Sequence, residues 1–102
     1  MADELRLLKI IQFDWNIYNK EKNREKHNVT QIECEEVFLN EPIYFDDNKH
    51  SKVEKRYLTY GETTNQRLLT IIFTIRNDKI RVISARDQSK KERQIYKQHK
   101  SR

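Results

Sequence analysis

The stretch "KIRVISAR" sets two guanidinium groups, Arg81 and Arg86, into one strand-like apolar run. Arg67 opens a second such run, "RLLTIIFTIR", and a Glu54-x-Arg56 pair lies near the start of a third, "VEKRYLTYGET". A guanidinium among apolar strand residues is costly unless a carboxylate or a bound anion compensates it. Two chemistries fit. One is a cluster that grips a phosphodiester, because the planar fork matches two phosphate oxygens at once. The other is cross-strand ion pairing, with Glu54 or Glu62 against Arg67 or Arg81. Strict alternation puts Glu54 and Arg56 on one face of their strand. It also puts Ser84 and Arg86 with Ile80 and Val82, leaving Arg81 on the opposite face unless a bulge intervenes.

Other catalytic classes lack their residues. A single glycine, Gly61, cannot build a glycine-rich phosphate loop, and no G-x-S-x-G turn occurs. His27, His50 and His99 show no metal-ligand spacing with Cys34, the one cysteine. Neither a metal nor another cofactor is expected, and a lone cysteine makes no internal disulfide.

The elements that must carry these side chains are legible in outline. "RLLKIIQF", Arg6 to Phe13, reads as a first strand. A helix from an Asn16 cap follows, oddly polar, with Asn16, Ile17, Lys20, Asn23, Arg24 and His27 on one face at ~100° per residue. That face is expected to line a site rather than fill a core. Thr30 and Glu33 form a capping box for a second helix, in which Cys34, Val37 and Phe38 share a face and Pro42 marks the end. Cys34 reads as a small buried filler. "IYF" is a short edge strand, followed by the polar loop "DDNKHSK". Two strands joined at Thr64–Gln66 come next, the second apolar on both faces and therefore central. "KIRVISAR" pairs after a turn at Asn77–Asp78, and Ser89 with Glu92 caps a last helix. Its inner face is Glu92, Ile95, Tyr96 and His99. The order β-α-α-β-β-β-β-α predicts an α+β fold, a small mostly antiparallel sheet with helices packed on it.

At 102 residues the chain suits one domain, 1–102, with a basic helix from about residue 89. Charged residues reach 36%, well above the ~25% of ordinary domains. Ile, Leu, Val and Phe still total 26 residues, enough for a thin core rather than disorder. From Lys79 to Arg102 there are nine basic and two acidic residues, a net +7; the remaining 78 residues carry a net −2. Such asymmetry points to a polyanion or an acidic partner surface, or else to a solvated helix face that keeps the chain soluble. No apolar run approaches the ~18 residues needed to cross a membrane, and the start "MADELRLLKI" is no secretory signal, so a cytoplasmic location is expected.

The chain resembles the BrnT family of type II toxin–antitoxin ribonucleases from Phe13 to Tyr96. The resemblance rests on "FDW", Asn23, "KH" at Lys26–His27 and Val29, then on "EKRYLTYG" and "RLLTIIFT". Its most specific element is "RVISAR" with Glu92, Arg93 and Tyr96 after it. Asn16, Asn28 and Gln66 depart from the family pattern, which has Asp at the first and Gly at the other two. The resemblance implies a RelE-like fold, translation inhibition by RNA cleavage, and neutralisation by a ribbon-helix-helix antitoxin. The expected assembly is a 2:2 heterotetramer that binds operator DNA through the antitoxin.

Residue chemistry and resemblance converge on metal-independent cleavage, with the 2′-hydroxyl of RNA as nucleophile. Arg67, Arg81 and Arg86 are then the phosphate-stabilising groups. Glu54 is the candidate base, or alternatively only orients Arg56 or Arg67. His27 is a candidate acid or base because imidazole titrates near neutral pH, or else merely bonds the last carbonyls of its helix. Lys20, Lys26, Arg56 and Arg93 are candidates for binding the flanking substrate. A non-catalytic basic nucleic-acid-binding module explains the +7 segment equally well, but not the strand arginines. A pure protein–protein adaptor explains the thin core and the marginal size.

Overall fold

The computed structural model of the protein describes residues 12–50 and 52–101. The order is α1 (Ile17–His27), α2 (Gln31–Leu39), β1 (Ile43–Asp46), a short 3-10 turn (Asn48–His50), β2 (Tyr57–Glu62), β3 (Leu68–Arg76), β4 (Lys79–Asp87) and α3 (Lys90–Lys100). The four strands form one antiparallel sheet in the order β1-β2-β3-β4. This is the α+β architecture expected. Most of the anticipated first strand lies outside the described residues. Its end runs parallel to β4, where the Ile80 amide donates to Gln12 O and the Asp14 amide to Ile80 O, both at 2.8 Å.

Local chemistry sets most boundaries. Each described helix starts with a capping box: Asn16 with Asn19, Thr30 with Glu33, and Ser89 with Glu92. Asn28 ends α1 at φ 55°, a left-handed cap that asparagine tolerates where glycine is usual. Asn77 and Asp78, at φ 51° and 63°, make the two-residue turn between β3 and β4. Gln66 is at φ 69°, which explains why glycine suits that position before Arg67. A Cβ on Gly61 would sit 2.7 Å from Val37 Cγ1, so α2 crosses β2 at a distance that excludes any side chain there.

The core lies between the sheet and the α1–α2 layer. Phe38 of α2 meets Phe73 of β3 edge-on at 5.0 Å, and Phe13 meets Phe38 at 5.5 Å. Such pairs add roughly 0.5–1.5 kcal/mol beyond the area they bury. Cys34 is buried in this core; burial above all, with Glu33 and Glu35 nearby, pushes its thiol up to about 12. It is a packing residue, as its helical spacing suggested. The opposite sheet face carries α3, whose buried Tyr96 donates to Glu62 Oε1 at 3.1 Å.

Two features differ from the pattern-based expectation. The inward face of α1 is Asn19 and Asn23, both buried, while Ile17 and Tyr18 are 74% and 82% exposed. Lys20, Arg24 and His27 point to solvent. The helix has no apolar stripe because it docks on the backbone of β4 through amides. The second difference is a β-bulge: Ile72 pairs with Ser84 and Phe73 with Val82, so Ile83 is an extra residue. It shifts the alternation by one, so Ile80, Val82 and Ala85 all enter the core. Arg81, Ser84 and Arg86 therefore share the other face.

Candidate active site

The outer sheet face is organised by register. One row crosses it as Ile43–Tyr60–Thr70–Arg86, and the next as Phe45–Leu58–Ile72–Ser84. Thr74 and Arg81 pair one row further. The two arginine rows are four β3 residues apart, about 13 Å. Between them lies the half-open apolar row, and α3 walls the Arg86 end.

Arg86 makes a two-pronged pair with Glu92 of α3, Nη1 to Oε1 at 2.8 Å and Nη2 to Oε2 at 2.9 Å. Glu92 also accepts from the Ser89 amide at 2.7 Å and the Thr70 hydroxyl at 3.0 Å. Burial alone would raise the Glu92 pKa. Arg86, the Ser89 amide and Thr70 outweigh it and pull it to about 2. At the other end, Arg81 Nη1 lies 3.5 Å from Asp14 Oδ2.

A corner beyond Arg86 gathers further groups around Asp87. Its backbone oxygen accepts from Arg86 Nη1 at 3.1 Å. Its carboxylate accepts from Arg67 Nε at 2.7 Å and Nη2 at 3.2 Å. Arg67 also reaches Glu33 at 3.1 Å and closes the end of α1 by donating to Asn28 O at 2.8 Å and His27 O at 3.2 Å. Arg67 lowers the Asp87 pKa most, and the nearby His27 adds to the effect. The His27 carbonyl is thus occupied by an arginine from another element, and the imidazole is exposed beside Asp87.

These carboxylates make stability depend on acidity. Glu33, Asp87 and Glu92 all titrate lower in the folded protein than in an open chain. Their stabilisation is therefore complete above the ordinary carboxylate range, about pH 4–4.5, and is lost as pH falls through their folded values. The thermal midpoint is expected to hold from pH 7 to about 4.5 and then drop toward pH 2, with Glu92→Gln flattening the lowest part of the curve. A midpoint unchanged to pH 2 would show that these pairs contribute nothing.

Glu54 belongs to the segment before β2, not to the strand. It pairs with Arg76 at 3.1 Å and lies 3.9 Å from Arg56, so neither Arg67 nor Arg81 is its partner. Continuing the register one residue from Tyr57–Phe73 sets Arg56 beside Thr74, in line with Arg81. Arg93 is exposed on α3 and donates to Gln88 O at 2.8 Å. Lys26 is exposed beside His27. Lys20 lines a groove of about 310 Å³ between α1 and α2, away from the arginine face. Arg81, Arg86, Arg67 and His27 therefore cluster along β4 and its end, Glu54 and Arg56 flank the Arg81 end, and Lys20 stands apart. Sequence reasoning missed Asp14 and Asp87 as arginine partners, and it took Glu92 as a cap and inner-face residue of the last helix rather than as the partner of Arg86. No local spacing signals either pair, since Arg67 meets Asp87 across 20 residues and Arg81 meets Asp14 across 67. Among the described residues no three His, Cys, Asp or Glu side chains gather as a metal site.

Residues 15–92 match the family model for the BrnT ribonuclease toxin of type II toxin–antitoxin systems. The chain belongs to this family. The matched stretch includes the whole Arg67–Arg81–Arg86 set with Glu54, His27 and Glu92, while Asp14 and Arg93 fall just outside it. In fold, the protein is similar to the crystal structure of the Brucella abortus ribonuclease toxin BrnT, with a TM-score of 0.61 and 23% identity over 79% of this chain and 100% of that one. No curated protein matches the sequence. As a BrnT-family chain it is a ribonuclease toxin by class, and among its described residues no helix is long and apolar enough to cross a membrane.

Proposed function

We propose that this BrnT-family protein cleaves RNA without a metal ion on the outer face of its sheet, and so inhibits translation in the cytoplasm. The observation that carries the reading is the β4 bulge, which sets Arg81 and Arg86 on one face. In the reaction the 2′-oxygen attacks the adjacent phosphorus and gives its proton to a base, Glu54 or His27. The bond to the 5′-oxygen breaks, that oxygen takes a proton from water or, where Glu54 is the base, from His27, and a 2′,3′-cyclic phosphate remains. Arg81 and Arg86 meet the charge that builds on the phosphoryl oxygens, the task for which preorganised guanidinium groups are most effective. Each is anchored by a carboxylate at its own end of the face, Asp14 or Glu92, and extends toward a phosphoryl group bound between the two rows, about 13 Å apart. Arg67 supports the far end through Asp87, and Arg56, Lys26 and Arg93 hold flanking phosphates; Lys20 contributes only along a path around α1. The purified protein should cut RNA in EDTA, leaving cyclic or 3′-phosphate ends. Strict dependence on magnesium would overturn the mechanism.

The partner we propose is an acidic-faced ribbon-helix-helix antitoxin, assembled two toxins to one antitoxin dimer that carries the operator-DNA contact. The support is family membership together with the net +7 of the last 24 residues, a surface that an acidic partner and RNA would both seek. Expression alone should arrest growth, and co-expression with the adjacent small reading frame should restore it and give a co-purifying complex. A harmless protein whose RNA binding is untouched by saturating partner would contradict this.

A further inference from the structure

We infer that Asn19 and Asn23 are positioning residues that set Arg81 and Arg86 for catalysis, acting through the backbone of β4 from its core side. The inference rests on the proposed role of those arginines. β4 is the last of the described strands in the sheet, bridged on its far side by Phe13 at Ile80, and its bulge at Ile83 interrupts the ladder to β3. Backbone groups beside a bulge on an outer strand need partners from elsewhere. Two buried asparagines of α1 supply them. Asn23 Oδ1 accepts from the Ala85 amide at 3.0 Å, the residue before Arg86. Asn19 Nδ2 faces Val82 O at 3.4 Å, the residue after Arg81, and donates to Asp14 O at 3.1 Å. Asp14 in turn meets Arg81 through its carboxylate. The two asparagines are joined, since Asn23 Nδ2 donates to Asn19 O at 3.1 Å.

One amide thus stands behind each arginine, and between them they bracket the extra residue. The buried polarity of α1 has its reason here. An apolar side chain at either position would leave a buried backbone group without a partner, and the strand could relieve that by sliding one residue into regular register. Because side chains alternate, such a slip would turn the end of β4 over and take Arg86 off the face that holds Arg81. A smaller shift, about 1 Å, already costs on the order of 100-fold in rate when reacting groups must align.

The test is RNA cleavage by the full chain with Asn23→Ala, Asn19→Ala, Arg86→Ala and Arg81→Ala, singly and paired, below each variant's unfolding midpoint. Asn23→Ala should lower kcat about 10–100-fold with KM within about threefold. In the Arg86→Ala background it should cost less than about threefold more, whereas independent effects would multiply. Asn23→Asp, which keeps an oxygen toward the Ala85 amide, should recover much of the loss. Asn19→Ala should couple to Arg81→Ala in the same way, and it carries the test alone if Asn23→Ala does not fold. Wild-type kcat in the folded asparagine variants, or multiplying effects, would reduce both residues to ordinary structural roles while leaving the arginine site intact. If Arg81→Ala and Arg86→Ala themselves cleave normally, the site reading falls and this inference falls with it.

Discussion

Arg86→Lys should lower the rate of RNA cleavage by about 10²–10³-fold, the size of effect seen when one oxyanion-stabilising donor is removed. Charge is conserved in this change, so RNA affinity should fall far less than rate. What is lost is the planar fork, which in the folded protein already spans both oxygens of Glu92 at 2.8 and 2.9 Å. A lysine ammonium can still neutralise Glu92 but cannot hold that carboxylate with one edge and a phosphoryl group with another. The thermal midpoint should move far less than the rate, because the lysine ammonium keeps the charge that neutralises the half-buried Glu92. Rate and unfolding, measured side by side, separate lost chemistry from lost folding. If activity instead survives Arg86→Lys and disappears on changing Lys90, Arg93 and Lys97 of α3, the protein is a basic binding module.

Arg67→Lys should behave differently, losing both rate and stability. Arg67 ties four partners from three parts of the chain: Asp87, Glu33, and the carbonyls of His27 and Asn28. A lysine can replace one or two of those bonds. Several unmade bonds at about 0.5–1.5 kcal/mol each suggest a loss of roughly 1–3 kcal/mol. For a domain of this size each 1 kcal/mol moves the midpoint about 4–8 °C. Cleavage per folded molecule should fall as well, by about tenfold or more, because Arg67 fixes Asp87 and the end of α1 where His27 is displayed. A variant that melts early but cleaves normally while folded would make Arg67 a clamp and nothing else.

The contrast between these arginines also shows where local chemistry was a sufficient guide. Capping boxes at Thr30 and Ser89, the Asn77–Asp78 turn and the doubly apolar β3 are properties of a few neighbouring residues, and each appears where the sequence pattern puts it. The bulge at Ile83 is not local. It coincides with the two amides that α1 brings to β4, and no period within "KIRVISAR" signals that contact. The same contact changes the facing of α1: of the polar face expected to turn inward, only Asn23 does so, joined by Asn19, while Ile17, Lys20 and His27 are exposed. Partner choice among charges was equally hidden. Glu54 finds Arg76 because β3 extends past the start of β2, a fact of strand length rather than of spacing.

The most direct test uses one RNA substrate in two forms, identical except for a single 2′-O-methyl group at the cleaved nucleotide, incubated with the protein in EDTA. The unmodified strand should be cut to a 2′,3′-cyclic phosphate and the methylated strand should survive at that site, because its internal nucleophile is gone. Equal cutting of both strands, or no cutting of either until magnesium is restored, would contradict metal-free attack by the 2′-oxygen on the arginine face of the sheet.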